Sequence, residues 1–547
     1  MNNLFNLARN GISVAQAAIR VTGDNLTNGM SGTYSRRSLI IGELGGMSTA
    51  QGFFGYGARA GGVERAYDAF ANNQLRDSLS GFASFTGRME QLADIDNMLA
   101  DESDNVSVSL GKLFTDMAAL SGDPADGPAR AAVFTSLDVL ANRYNASAKR
   151  LSGLEKSTNT QIERSAKEIN SFTEQLAQLN KQLERLQGNG APPADLLDQR
   201  DALLEGLSEQ LGITVTEDSN SGSVSVTLSD GRPLVSGGTA YKLETSPSDA
   251  DPNKMIVSYV DANGKASPLD ENAITKGRLG GLFKFRNEDL VVARQDLDQI
   301  AFMMAHRMNE QNRQGYTPDG TQGEDLFSLP DIKAIANAKN QGTGKLDQIR
   351  VTDFENVKSE NYAITFNDPD WVVKGADGRI VTPEPGTPTG VLKFDGIEIT
   401  LPDPADVKPG DTFNLNPMAG AAEGISRKIT SAQEFAASDS TTDAKGNNKN
   451  LEKMLKIQSE PLIGGNTLSE AYASLAGQIG ESAREVQSYV ASAKSDLNTK
   501  YDTKQALSGV NMDEEYINLD MFRQYYNGSA QLLKTATAMF DALLAIR

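Results

Sequence analysis

The chain offers little that could do covalent chemistry. It has no cysteine and one histidine, His306, set in the apolar helical run Ile300-Ala-Phe-Met-Met-Ala-His-Arg-Met308 with no Gly-x-Ser-x-Gly elbow to partner it. Zero cysteine removes thiol nucleophiles, Cys-type zinc, iron–sulfur clusters and disulfides together. One imidazole removes multi-His metal sites. Gly55-Tyr-Gly57-Ala-Arg-Ala60 matches the dinucleotide pattern G-x-G-x-x-A, but that chemistry needs a buried strand before the glycines and a helix opening within them. Gly45-Gly46-Met-Ser-Thr-Ala-Gln-Gly52 precedes it and reads as a mobile loop. With 72 acidic residues, neighbours such as Asp368/Asp370 carry no signal of glycoside hydrolysis. The run Asp513-Glu514-Glu515 reads better as a helix first turn, where negative charge complements the dipole. Asp319-Gly-Thr-Gln-Gly-Glu-Asp325 lacks calcium-loop spacing and reads as a turn. These residues predict no enzyme, no cofactor and no metal.

The elements that would position any site are easier to read. All 19 prolines lie between Pro124 and Pro461, and both ends of the 547-residue chain lack proline, as long helices require. Near the start Phe5, Ile12, Ile19 and Leu26 recur every seven residues, with Ala8, Ala15 and Thr22 three further on. Near the end Tyr525, Leu532, Met539 and Ile546 do the same, and Phe522, Ser529, Ala536 and Leu543 run three residues ahead of them. Two heptad stripes at opposite ends invite pairing as a coiled coil. Leu7, Val14 and Val21 widen the first stripe, and Leu519, Tyr526, Leu533 and Phe540 the second, so each helix needs more than one neighbour. Unburied stripes of that width mark assembly with other subunits.

Inside these ends lies a second helical tier: about 64–100, 106–120, 129–186 and 194–211. The face Ile169, Leu176, Leu179, Leu183 and Leu186 ends at Gly188-Asn189-Gly190-Ala191-Pro192-Pro193. Period-two runs from Ile213, Val224, Tyr241 and Ile256 predict a small antiparallel β unit. Helix returns over 278–313. Strand and turn text then fills 331–434, with prolines crowded between Pro369 and Pro417, and Ser438 to Asn450 reads as a polar linker. Helix resumes near Leu451. The predicted class is α+β. It is a nested multidomain rod with a long α-helical coiled-coil or bundle core from both termini, a small β subdomain and an inserted β-rich domain. Residues 1–60 with 505–547 would form a terminal helical assembly domain, disordered in the free monomer. Residues 61–330 with 435–504 would form a helical rod carrying the β subdomain at about 212–262, and 331–434 an outward β domain.

A net charge of −20 excludes nucleic acid as the main partner. No apolar run approaches a membrane span, and the N-terminus lacks the basic leader, apolar core and cleavage site of a signal peptide. Residues 1–66 carry Arg9, Arg20, Arg36, Arg37, Arg59 and Arg65 against Asp24, Glu43 and Glu64. That basic surplus reads as a solvated helix and loop, or as an export-recognition or subunit-contact segment.

Ser508-Gly-Val-Asn-Met-Asp-Glu-Glu-Tyr516, Gln524-Tyr-Tyr526 and Ala538-Met-Phe-Asp-Ala-Leu-Leu-Ala-Ile-Arg547 closely resemble the C-terminus of the flagellar hook-associated protein 1 family. Gly11 to Leu26, Tyr34-Ser-Arg36, Asp195-Leu-Leu-Asp-Gln-Arg-Asp201 and Gly280-Gly-Leu-Phe-Lys-Phe-Arg286 look like flagellar axial proteins in general. One departure is Thr33, where that pattern has glycine. The resemblance implies a non-enzymatic junction between hook and filament. It would be secreted by the flagellar type III route without a cleaved leader and would stand extracellularly on the flagellum. It implies a homo-oligomeric ring layer, contacts with hook subunits and the second junction protein, and an export chaperone on the C-terminal segment. The assembly positions would be Phe5, Ile12, Ile19, Leu26, Phe522, Tyr525, Leu532, Ala536, Met539, Leu543 and Ile546. Two alternatives stand beside it: another axial protein (hook subunit, second junction protein or flagellin-like), and, more remotely, a surface hydrolase in the β domain, which holds no His or Cys.

Overall fold

The computed structural model describes residues 2–50, 52–101, 105–186, 192–385 and 387–545. The turn read at Gly188–Ala191 and the assembly position Ile546 lie outside them.

Helix α1 (Asn2–Asn28) opens the chain. A two-tier antiparallel hairpin follows: β1 (Arg37–Glu43) pairs with β4 (Ala58–Arg65), and beyond them β2 (Gly46–Thr49) pairs with β3 (Gly52–Gly55). This corrects the loop reading of 45–60. The alternation in Leu39, Ile41 and Val63 is diluted by glycines, and a hairpin exposed on both faces leaves no one-sided apolar pattern. The segment before the next helix is therefore strand at 64 and 65, and α2 (Ala69–Leu99) starts five residues later than expected. Asp68 caps it, accepting the Ala71 amide at 2.8 Å.

The helical tier continues with α3 (Val106–Gly122), α4 (Gly127–Leu186) and α5 (Ala194–Gln210). At 60 residues, α4 is the long spine of the molecule, about 90 Å at 1.5 Å per residue. Strands 214–217, 224–227, 233–236 and 239–240 form one antiparallel meander, and 242–247, 255–260 and 266–268 a second sheet. Val226, Leu234, Val235 and Val257 bury against Ile162, Ala166 and Ile169 of α4 and Leu204 of α5.

The helix read over 278–313 is broken. After α6 (Gly277–Lys284) comes a π-helical turn at Phe285–Asp289, then α7 (Leu290–Arg313). The wide turn carries two buried charges inward. Arg88 donates to both Asp289 carboxylate oxygens at 2.8 Å, and Arg286 reaches Glu271 at 2.7 Å.

The β-rich unit is a five-stranded sheet (335–336, 412–415, 362–367, 370–374, 380–381 in spatial order) beside a three-stranded one (347–351, 397–400, 391–394). Ile364, Phe366, Phe394, Ile397, Ile399 and Phe413 alternate inward. Their core runs unbroken into the helical tier, where Phe302 of α7 stacks on Phe354. Phe327 pairs with Arg427 and Ser328 with Ser426 where the chain enters and leaves this unit.

The return path is anchored at both ends of the stretch read as a polar linker, whose middle is mostly exposed turn. After the short α8 (Ala421–Gly424), Ala436, Ala437, Ser438 and Asn450 are fully buried. Asn450 donates to Gln311 O and Ala436 O and accepts from Gln311 Nε2. Its polarity serves an internal network, which is why composition alone reads as solvent-facing. Then come α9 (Lys449–Lys456), α10 (Leu468–Ser508) and α11 (Met512–Leu544). A capping box between Thr467 and Glu470 starts α10, which runs antiparallel to α2: Tyr472 reaches Leu99, Tyr489 packs on Phe85, and Ser78 donates to Asp496 at 2.6 Å. None of the described helices is long and apolar enough to cross a membrane.

Candidate assembly surface and its joint

Helices α1 and α11 pack antiparallel, Asn25 meeting Glu515 and Gly11 meeting Ser529. The buried positions of α1 include Ala8, Gly11, Ala15, Ala18, Thr22 and Asn25, a heptad a/d series made of small side chains. On α11 the buried positions are Glu515, Ser529 and Ala536, with Leu519, Phe522, Tyr526 and Leu533 half-buried around them. A Cβ placed on Gly11 would lie 2.5 Å from Ser529 Oγ, so the two backbones approach more closely than side chains on both helices would permit.

The two stripes pair through their small members: Ala8, Ala15, Thr22, Ser529 and Ala536 are buried. Their large members stay partly open: Phe5 is 47 % exposed, Tyr525 48 %, Leu532 43 % and Met539 50 %. Of the other expected assembly positions, Ile12, Ile19, Leu26 and Phe522 are half-buried, while the side chain of Leu543 lies outside the described residues. Leu4, Leu7, Ile517, Met521, Phe540 and Leu544 add to the exposed apolar surface. Hydropathy ranks the bulky stripe first. The signal for the true seam was the run of small residues at the same period, which only close helix approach makes sense of.

The hairpin packs on α1, where Asn10 donates to Tyr56 O at 3.1 Å and a Cβ on Gly57 would meet Leu7. Gly57 has a φ of +96°, so the apparent dinucleotide motif serves a tight β approach to a helix.

At the inner end of the helix pair, polar residues replace the small seam. Asn25 is buried. Its Nδ2 donates to Arg37 O at 2.8 Å and to Glu515 Oε2 at 3.0 Å, while its Oδ1 accepts from Arg37 N and the Tyr34 hydroxyl. Glu515, 2 % exposed, also accepts from Arg36 Nε at 3.0 Å, and Glu514 takes Arg36 Nη1 at 3.2 Å. The Arg36 amide donates to Ser508 O at 2.8 Å, fastening the hairpin root to the α10–α11 turn. Burial pushes the Tyr34 hydroxyl up to about 12, keeping it a donor.

From here a charged ladder leads into the rod. Arg37 (β1) and Arg65 (β4) share Asp198 of α5 at 3.0 and 2.8 Å, and Arg65 also holds Asp201 at 2.5 Å. Asp201 accepts from Arg200, which turns its other end to Glu217 and Gly222 O. Burial pushes the Asp201 carboxyl up, but the Arg200 and Arg65 guanidiniums outweigh it and hold it below the usual carboxylate range. Tyr67 lies under Arg65 and Arg200 and donates to Glu217. Burial, with Asp201 and Glu217 nearby, raises its hydroxyl to about 12.

Arg36, Arg37 and Arg65, read from sequence as part of a solvated basic segment, are therefore tied to acids of their own chain. Glu515 is more than a dipole complement. The motifs Tyr34–Arg36 and Asp195–Asp201 meet in this joint. Gly280–Arg286 lies deeper, where a Cβ on Gly281 would strike Ser84 O. Thr33, where glycine was the pattern, does not take the left-handed conformation.

The remaining candidates have structural surroundings. His306 stacks on Phe354 with ring planes 9° apart, and burial lowers its pKa. Asp319 closes a turn with Thr317 and Thr321. Among the described residues no three acidic or imidazole side chains gather to hold a metal ion.

Comparison with known proteins agrees along the chain. Residues 92–327 match the flagellar hook-associated protein FlgK helical domain, and residues 335–417 the D2-like domain of flagellar hook-associated protein 1. Flagellar hook-associated protein 1 of Salmonella typhimurium is 35 % identical over 557 residues, and that of Escherichia coli K12 34 % over 552, each covering all of both chains. The Bacillus subtilis protein of the same name is 22 % identical over 98 % of this chain and 96 % of its own. In fold, the flagellar hook junction protein FlgK from Burkholderia pseudomallei superposes with a TM-score of 0.71 over 80 % of this chain and all of its own, at 22 % identity. The chain belongs to the flagellar hook-associated protein 1 family.

Proposed function

We propose that this chain is a non-enzymatic structural element that joins the flagellar hook to the filament as a ring layer. Copies would assemble through residues of about 1–60 and 505–547 after leaving the cell by type III export without a cleaved leader. The division into that terminal domain, a rod of 61–330 with 435–504 and an outward β unit of 331–434 belongs to the same reading. So do hook subunits and the second junction protein as axial neighbours, and an export chaperone on the C-terminal segment.

One observation carries it. The terminal helices spend their small residues on each other and leave Phe5, Leu532 and Met539 about half exposed. A helix pair with its bulky apolar side chains in water is unfavourable by ~25 cal/mol per Å2 of that surface, a cost that neighbours would relieve. The same balance supports ends that order fully only on assembly, because the entropy of fixing two helices needs burial that one copy does not supply.

The test is removal of residues 508–547. We expect a soluble, folded remainder that neither reaches the hook end nor supports a filament, with the full chain found by immunolabelling at the hook–filament boundary. Filament growth on the truncated chain would overturn the proposal.

A further inference from the structure

The terminal helix pair has two open apolar stripes, and they lie on opposite sides of it. Each residue advances about 100° around a helix. Measured from the buried series through Gly11 and Ala15, the stripe Phe5, Ile12, Ile19 and Leu26 stands about 80° to one side of α1. Leu7 and Asn10 stand about 80° to the other side, where the hairpin rests through Gly57 and Tyr56. On α11, exposed Met521, Leu532 and Met539 stand about 80° from the seam through Glu515, Ser529 and Ala536.

Viewed from the start of α1 with α11 to its right, the positions of right-handed α1 advance clockwise. The antiparallel α11 approaches the viewer, so its positions advance counterclockwise. The α1 stripe then points below the pair, and the α11 stripe points above it, on the hairpin's side. The two outer edges, at Arg9 and Arg20 of α1 and at Gln524 and Gln531 of α11, are polar and exposed. The pair is a plank with polar edges and two unlike apolar faces.

We propose that these faces meet between copies: Leu532 and Met539 of α11 in one copy pack on Phe5, Ile12 and Ile19 of α1 in the next. The inference rests on the assembly reading above and names the surfaces that close it. Rotation about a common axis sets one face of each copy against the opposite face of its neighbour, so a ring needs two different faces that fit. Both stripes repeat every seven residues, about 10.5 Å along a helix. Copies pointing the same way set α1 against α11 antiparallel, the arrangement already present within one chain. Charge favours the same contact. Helix α1 holds Arg9 and Arg20 against Asp24, and α11 holds five acids against Arg523 and Lys534. Two α11 helices brought together would repel, whereas α11 and α1 attract.

The chain has no cysteine, so engineered thiols report on these faces alone. Four double variants place one cysteine at Phe5 or Ile12 and one at Leu532 or Met539, and isolated flagella carrying each are oxidised with copper phenanthroline. Within one copy the two thiols point to opposite sides of the pair and cannot join, since a disulfide needs Cβ atoms within ~4.5 Å. At least one double variant should give dimers, trimers and higher multiples of the 58.6 kDa chain on non-reducing gels. The single variants and dilute monomer should give none, and coexpressed copies carrying the two cysteines separately should stop at dimers. Coexpressed wild-type chain keeps the junction intact where a double variant alone does not build it. Strong dimers from L532C or M539C alone mean that like faces meet and overturn the proposal. So does a chain present at the junction whose four double variants give no interchain product. A wild-type chain absent from the junction overturns the proposed function, and the inference falls with it.

Discussion

Gly11 of the first helix lies against Ser529 of the last, so near that a Cβ on Gly11 would stand 2.5 Å from the serine hydroxyl oxygen. That contact closes a chain whose two ends are more than five hundred residues apart, and it makes the seam between them one of small side chains. Gly11→Leu should therefore force α1 and α11 apart, at a cost of ~1–3 kcal/mol from overpacking. Amide exchange across 8–25 and 515–536 should accelerate while the rod is unchanged. Gly23, in the same helix with nothing within 4 Å, is the control: Gly23→Ala should slow exchange in α1, gaining up to ~1 kcal/mol from helix propensity.

Glu515 is the buried acid of the joint, bonded to Arg36 and Asn25. Glu515→Gln keeps its shape but leaves the Arg36 guanidinium, itself about a third exposed, with only Glu514. A loss of ~1–2 kcal/mol in the terminal helices is expected, discounted from a fully buried pair because Arg36 is partly solvated. Exchange at the hairpin root and the α10–α11 turn would report it, and thermal melting of the rod should barely move.

Two buried aspartates should respond to pH with opposite signs. Burial raises the Asp298 carboxyl to about 6, although the Ala422 and Gly420 amides bond it at 2.8 and 3.0 Å. Between its unfolded value near ~3.9 and about 6, the folded chain holds a proton that the unfolded chain releases. The fold is then stabilised as pH falls through about 6, and carries the full penalty of the buried charge above it. Relative to Asp298→Asn, the wild-type chain should gain ~2 kcal/mol between pH 7 and pH 4.5 in denaturant titrations. Asp201, held low by Arg200 and Arg65, contributes stability that is present above its unfolded pKa and lost as pH falls through its folded one. The cost of Asp201→Asn should accordingly shrink in strong acid.

Gly281 tests the rod itself. A Cβ there would sit 2.0 Å from Ser84 O, a backbone atom of α2 that cannot swing away. Gly281→Ala should lower the Tm by several degrees, or prevent folding outright, and Gly153→Ala in α4, with open space around it, should not.

These expectations also show what a linear sequence exposes. Proline exclusion and heptad spacing reveal both terminal helices, because helix formation is a local property. The stripes also contain the seam, at Ala8, Ala15, Thr22, Ser529 and Ala536. What stayed hidden was the rank of these small positions, with Gly11, above Phe5 and Leu532, because proximity outweighs apolar area there. The joint was hidden for another reason. Arg37 and Asp198 are 161 residues apart, and nothing local in either residue announces the other. The hairpin escaped notice because glycines dilute its alternation. The anchoring of the 438–450 return at buried Ser438 and Asn450 escaped because internal amide networks and solvent-facing loops draw on the same residue types.

The central claim is that the outward face of the terminal helix pair is kept for other copies of the chain. Leu532→Asp with Met539→Asp tests it most directly, since both side chains are about half exposed and away from the buried seam. In the isolated chain the double variant should match the wild type within ~0.5 kcal/mol. On flagella, immunolabelling should find it absent from the hook end, with no filament beyond. A variant that takes its place there and carries a filament of normal length would contradict the account.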